Sequence, residues 1–266
     1  MCVKKIYQLF ICLLLLSVLL SACNAQTGSK TLPTGKDATW NLVVIGDSSL
    51  WGMGKAMAKQ IEEDMKVKVE LFDASTAMSA GKVRAVLEGQ DTSNYILGKL
   101  VEELKKAEYV IIFINPLDSI VKDKPLDLEN CFHMKKAIAC EPGQFANYIS
   151  DMELIWKKII QLRAGQATIL RATDIYDPLV ADWTKNGVFL ECNACWENMS
   201  NAARQAAKNA GVPFLSQFDA YNGANHLEDP RLKGFIKDDG EHPTESANAM
   251  IAKLLAAMGY EPTIPK

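Results

Sequence analysis

The segment Tyr109-Val110-Ile111-Ile112-Phe113-Ile114 is six apolar residues with no polar interruption. A continuous run of this kind suits a central strand of a parallel sheet, covered on both faces. Asn41-Leu42-Val43-Val44-Ile45 is a second short β-branched run, ending at Gly46. Val67 to Phe72, Ala167 to Arg171 and Val212 to Leu215 read as three more strands. Between them lie segments with apolar residues at helical spacing. Leu50 to Met65 carries Met53, Ala56, Met57 and Ile61, and Ser93 to Lys106 carries Leu97, Leu100, Val101 and Leu104 on one face. Ser79 to Glu88, Phe145 to Leu162, the Ala-rich Asn198 to Ala210, and Thr244 to Met258 also read as helices. Strand and helix alternate, which predicts a three-layer α/β/α sandwich around a parallel five-stranded sheet. Asp118 to Gly143 and Tyr176 to Glu191 are read as long irregular connections, and Leu232 to Ile236 as a helical turn. Ligands of such sheets sit beyond the carboxyl ends of the strands. Chemistry is therefore expected after strands one, three and five.

The N-terminus has a different character. Lys4 and Lys5 precede an almost unbroken apolar run from Ile6 to Leu20, and small residues follow. A positive start, a short apolar stretch and a small-residue end describe a secretory signal over residues 1–22, not a membrane span. Leu20-Ser21-Ala22-Cys23 resembles the lipobox of bacterial lipoproteins, which implies cleavage before Cys23 and attachment of lipid to its thiol. Residues 23–38 are polar, without an apolar period, and read as a flexible tether. Residues 39–266 suffice for one well-buried domain. The expected location is extracytoplasmic, with the membrane reached through Cys23. The chain carries a formal net charge of −3 and no basic cluster with interleaved aromatics, so nucleic acid is not an expected partner.

Four cysteines besides Cys23 remain in the expected mature chain: Cys131, Cys140, Cys192 and Cys195. In an oxidising compartment an even set of this kind favours disulfides, and three pairings are open. The competing arrangement is a zinc site made from these thiols and His133. A redox role for Cys192-Asn193-Ala194-Cys195 has less support, because no thioredoxin-like pattern surrounds it.

Ser48 lies in the turn between the first strand and the first helix. There its hydroxyl can be exposed while backbone N–H groups at the turn face a developing anion. Taken alone, Gly46-Asp47-Ser48 is equally a helix cap. Asp239 and His242 stand three apart before the last helix. That spacing lets a carboxylate turn back on an imidazole and fix its tautomer, leaving the other ring nitrogen to take a serine proton. Together, Ile45-Gly46-Asp47-Ser48-Ser49-Leu50-Trp51-Gly52 and Asp239-Gly240-Glu241-His242-Pro243 resemble the first and last blocks of the SGNH, or GDSL, hydrolases.

The resemblance implies a flavodoxin-like sandwich in which Ser48 is the nucleophile, His242 the general base and acid, and Asp239 its orienting partner. The family's middle blocks are altered. Where its Gly-x-Asn-Asp block would fall, this chain has Ile114-Asn115-Pro116-Leu117-Asp118, so Asn115 is the implied oxyanion donor, beside the Ser48 amide. Gly81 stands nearest to the family's oxyanion glycine. No cofactor and no metal is implied. The expected activity is hydrolysis of acyl esters, with O-acetyl groups on glycans ahead of lipids as substrates. Two alternatives stay open: a lipoprotein that binds a glycan or other ligand without turnover, and an O-acyltransferase.

Other residues carry plainer expectations. His226 and His133 are read as solvated. Trp51 is expected to line a cleft or to pack on the first helix, and Trp183 and Trp196 to shape a pocket rim. Asp174 and Asp177 are read as surface charges.

Overall fold

The computed structural model describes residues 31–76, 79–91, 95–116, 131 and 141–264. Its centre is a five-stranded parallel sheet: β1 (Thr39–Gly46), β2 (Lys68–Ser75), β3 (Tyr109–Ile112), β4 (Ile169–Thr173) and β5 (Phe214–Leu215). The spatial order is β2-β1-β3-β4-β5. β1 and β3 pair with Leu42 opposite Tyr109 and Ile45 opposite Ile112. All of β3 and β4 is buried; β3 is the uninterrupted apolar run that two covered faces require, and β4 also buries Arg171 and Thr173.

Eight α-helices connect and cover the strands among the described residues. They are α1 (Met53–Met65), α2 (Ala80–Leu87), α3 (Tyr95–Lys106), α4 (Ala146–Leu162), α5 (Val180–Asn186), α6 (Phe189–Asn209), α7 (Gln217–Asn222) and α8 (Glu245–Ala257). From β1 to β2 the chain moves one way across the sheet; from β2 over β1 to β3, and on to β5, it moves the other way. Right-handed crossovers then put α1 on one face and α2, α3, α4 and α6 on the opposite one. The packing agrees: α8 lies on α1, while α4 packs between α2 and α6. Burial follows the same logic. Met53, Met57 and Ile61 of α1 and Ala247, Ile251 and Leu255 of α8 are buried at four-residue steps, one stripe on each of the two packed helices. Strand direction reverses its lateral sense between β1 and β3, and a crevice opens there beyond the strand ends.

The sequence reading of the fold holds, with local differences. β4 runs two residues later than the 167–171 expected. The connection expected over 176–191 contains α5 and the start of α6, so α6 begins nine residues before Asn198. Burial supports this extension: Cys192, Cys195 and Trp196 are inside the protein, on one face of the helix. Residues 31–38, expected as tether, lie on the domain. Leu32 packs against the core, and Trp40 Nε1–H donates to Pro33 O at 2.8 Å. Cys23 and the expected signal segment lie outside the described residues. No helix among the described residues is long and apolar enough to cross a membrane.

Cys131 and Cys192 form a disulfide across 61 residues of sequence. Cys195 is disulfide-bonded as well, so these three sulfurs are not thiolates available to zinc. Cys140 and His133 lie outside the described residues.

Candidate active site

The crevice at the carboxyl end of the sheet holds a cleft of about 230 Å³ lined by Ser48, Asn115 and His242. These residues come from three distant chain segments. Ser48 opens a single 3-10 turn, Ser48–Leu50, directly after β1. Asp47 caps that turn: its Oδ1 accepts from Ser49 N–H at 2.8 Å and from the Ser49 hydroxyl at 2.6 Å. The turn's own backbone bonds begin with Leu50 N–H to Asp47 O. The Ser48 amide precedes them and is one of the orphan donors of a helical start. Two glycines make the turn possible. A Cβ at Gly46 would run into the Phe113 carbonyl oxygen and the Leu50 side chain, because β1 and β3 pass closely there. Gly52 has φ +89°, a left-handed conformation that side chains disfavour, and a Cβ there would meet Asn248 Nδ2 at 2.6 Å.

His242 comes from a loop between β5 and α8. An isolated bridge joins Ile236 to Pro243, and Lys237 N–H donates to His242 O at 2.8 Å. Inside this small loop Asp239 turns back. Its Oδ1 accepts from the Glu241 and His242 amides at 2.9 Å each, and its Oδ2 meets His242 Nδ1 at 3.1 Å. The two amides, followed by the imidazole, hold the Asp239 carboxyl down at about 2, well below the ordinary carboxylate value. At neutral pH it is an acceptor, so Nδ1 carries the ring proton and Nε2 is left with a free lone pair. Ser48 and His242 share the cleft without a direct hydrogen bond, a looseness common in sites that await substrate.

Several residues around the cleft have roles that local sequence did not signal. Ile175, Tyr176 and Pro178 form one wall, so the end of β4 contributes to the site besides the connections after β1, β3 and β5. The Tyr176 hydroxyl donates to Glu241 O at 2.8 Å, tying that wall to the His242 loop, and its ring stacks on Tyr221 with centroids 4.4 Å apart. Position after a parallel strand was the available signal for Tyr176. Trp51 does not line the cleft; its ring stacks on His242.

The remaining expected residues are distributed as follows. Asn115 lines the cleft directly beyond β3. Gly81 is the second residue of α2, with Asp151 as the nearest neighbour of a Cβ placed there, and it does not line the cleft. Trp196 is buried and lines the cleft, whereas Trp183 belongs to the core and donates to Cys131 O at 2.7 Å. His226 is not solvated in a polar loop: its ring stacks on Phe218 and sits between Glu197 and Asp219. Asp174 and Asp177 are buried instead of lying on the surface. Asp174 accepts from the Ser200 and Ser216 hydroxyls and from the Gln217 and Phe218 amides, which offset the cost of burying it. Asp177 accepts from Leu179 N–H at 2.7 Å but leaves Oδ2 unpartnered, and burial pushes its carboxyl up to about 8. Among the described residues no group of three or more His, Cys, Asp or Glu side chains is arranged to hold a metal ion.

No protein-family model and no functionally curated protein matches this sequence. Solved structures of similar architecture include TesA, at 15% identity and TM-score 0.45, covering 82% of this chain and 96% of that one. A protein of Slackia heliotrinireducens described as an SGNH hydrolase is similar at 14% identity and TM-score 0.48, covering 83% and 100%. The inhibitor-bound aryl esterase of M. smegmatis is similar at 14% identity and TM-score 0.46, covering 82% and 97%. Likeness at this level concerns the general α/β architecture and leaves the chemistry to the residues of this chain.

Proposed function

We propose that this chain is a serine esterase, held at a membrane through lipidated Cys23 and acting outside the cytoplasm on short acyl esters such as O-acetylated glycans. The observation that carries the catalytic part is the convergence of Ser48, Asn115 and His242 on one cleft, with Asp239 bonded to His242 Nδ1. Ser48 Oγ attacks the ester carbonyl carbon as its proton passes to His242 Nε2. The carbonyl oxygen becomes an oxyanion, for which the Ser48 amide and the Asn115 side chain are the donors at hand. Collapse breaks the bond to the alcohol, which leaves with the proton from His242. Water, deprotonated by the same imidazole, then hydrolyses the acyl-enzyme and restores Ser48. A cleft of about 230 Å³ favours a small acyl group, since drug-sized ligands need roughly 300 Å³ or more.

Hydrolysis of p-nitrophenyl acetate by the wild type, Ser48→Ala and His242→Ala tests this reading. Both variants should fall to background; equal rates in all three would overturn it. Incorporation of labelled palmitate, lost in Cys23→Ala, is the corresponding test of the anchor.

A further inference from the structure

The contact between the Ser48 turn and the His242 loop is an aromatic stack. The Trp51 and His242 rings lie with centroids 4.7 Å apart and planes inclined by 12°. We propose that Trp51 is a positioning residue for the catalytic base, its indole face holding the His242 imidazole in the orientation from which Nε2 serves Ser48. This rests on the esterase reading above.

The need for such a support follows from the loop. The Asp239–His242 pair is open to solvent, with side chains 47% and 21% exposed. One hydrogen bond at Nδ1 fixes one end of the ring and leaves it free to rock about that bond. A flat contact on the ring face removes this freedom, because tilting would open a gap and forfeit dispersion contacts. An electron-rich ring face also favours the imidazolium that forms when Ser48 gives up its proton.

Trp51 is itself fixed, although its side chain is half exposed. Its Nε1–H donates to Ser75 O, at the end of β2, at 3.1 Å. Its carbonyl accepts from Asn248 Nδ2 of α8 at 2.9 Å. Its own N–H donates to Ser48 O at 3.1 Å, which closes the nucleophile's turn. Gly52 follows in a left-handed conformation that brings the chain against Asn248. The residue that touches the base is thus bonded to the backbone of the nucleophile, and movement of one is transmitted to the other.

The test combines NMR and kinetics on the full chain purified in detergent with labelled histidines. The chain has 3 histidines, and the resonances absent from His242→Gln identify the ring. In the wild type and in Trp51→Phe the His242 ring protons should lie upfield, in the shielding zone of an aromatic face. In Trp51→Leu they should return to ordinary positions. With p-nitrophenyl acetate, Trp51→Leu should lower kcat roughly ten- to a hundred-fold. KM should change by less than about twofold, and Trp51→Phe should recover most of the rate. Trp51→Met replaces the leucine variant if that one misfolds. Unshifted His242 protons in the wild type, or wild-type kcat in Trp51→Leu, would overturn the proposal. So would a raised KM at unchanged kcat, which would move Trp51 to substrate binding. A wild type with shifted His242 protons but no hydrolysis would instead overturn the esterase reading, and the positioning role with it.

Discussion

The two halves of the candidate site are held in opposite ways. The Ser48 turn grows out of β1, whose last five residues are buried, and it is fixed by a close backbone approach, a cap and a core anchor. Gly46 admits the Phe113 carbonyl, Asp47 caps the turn and Leu50 anchors it in the core. The His242 loop lies at the surface, where an isolated backbone bridge closes it and side-chain contacts hold the imidazole: Asp239 in its own loop, Tyr176 from beyond β4 and Trp51 from the opposite half. A nucleophile must meet the oxyanion donors at fixed distance, and a close-packed core supplies that rigidity. A base must take a proton and return it, which a few directed contacts on an accessible ring permit. Damage to the first region should therefore appear in stability, and damage to the second in turnover.

That contrast can be broken or sharpened in order of expected effect. Asp239→Asn removes the acceptor that fixes the His242 tautomer and should lower kcat by roughly 10³-fold. Because the carboxylate also accepts from two amides of its loop but is half exposed, the melting temperature should fall by only a few degrees. A large loss of stability instead would show that Asp239 is structural. Gly46→Ala acts on the other half. With no space for a Cβ beside the Phe113 carbonyl and Leu50, it should cost about 2 kcal/mol or more in urea unfolding. An alanine variant of wild-type stability would contradict the close approach of β1 and β3.

Tyr176→Phe deletes only the hydroxyl that donates to Glu241 O. The expected effect is a few-fold lower kcat, in line with about 1 kcal/mol for one hydrogen bond, with KM little changed. No change in rate would remove Tyr176 from the supports of the His242 loop.

A separate effect concerns pH. The Asp177 carboxyl, raised to about 8 by burial, is neutral in the folded protein at pH values where the unfolded chain has already ionised it near 4. The folded state then binds one more proton than the unfolded state. Its contribution to stability is full below about pH 4 and declines as pH rises toward about 8. Asp177→Asn keeps an oxygen for Leu179 N–H and removes the titration. Its melting temperature should fall less than that of the wild type between about pH 5 and pH 8. Parallel pH profiles for the two proteins would contradict the buried neutral carboxyl.

The same contrast explains what could be read from sequence. β3 and β1 were legible because two covered faces demand uninterrupted apolar residues, and the alternation with Met53-Met57-Ile61 and its counterparts set the layers. The placement of Ser48 after β1 and the pairing of Asp239 with His242 were legible because both follow from short local spacings. The helical start of α6 was not read, although Cys192, Cys195, Trp196 and Met199 recur at helical spacing; the two cysteines were assigned to disulfides or zinc and not to a buried helix face. α7 is six residues long, and its one local sign was Ser216, whose hydroxyl accepts from Asp219 N–H at 3.0 Å. Trp51 on His242 and Asn248 on Trp51 join positions almost two hundred residues apart, which no local pattern encodes. Asp174 and Asp177 were misread for a related reason, since their burial depends on partners from α6, α7 and the turns between them.

The central claim is that Ser48 is an activated nucleophile in a cleft with His242. Its most direct measurement is reaction with a fluorophosphonate probe, followed by peptide mass spectrometry of the wild type and His242→Ala. The wild type should yield one phosphonylated serine, Ser48, and the variant strongly reduced labelling. Labelling absent from Ser48, or undiminished without His242, would contradict it.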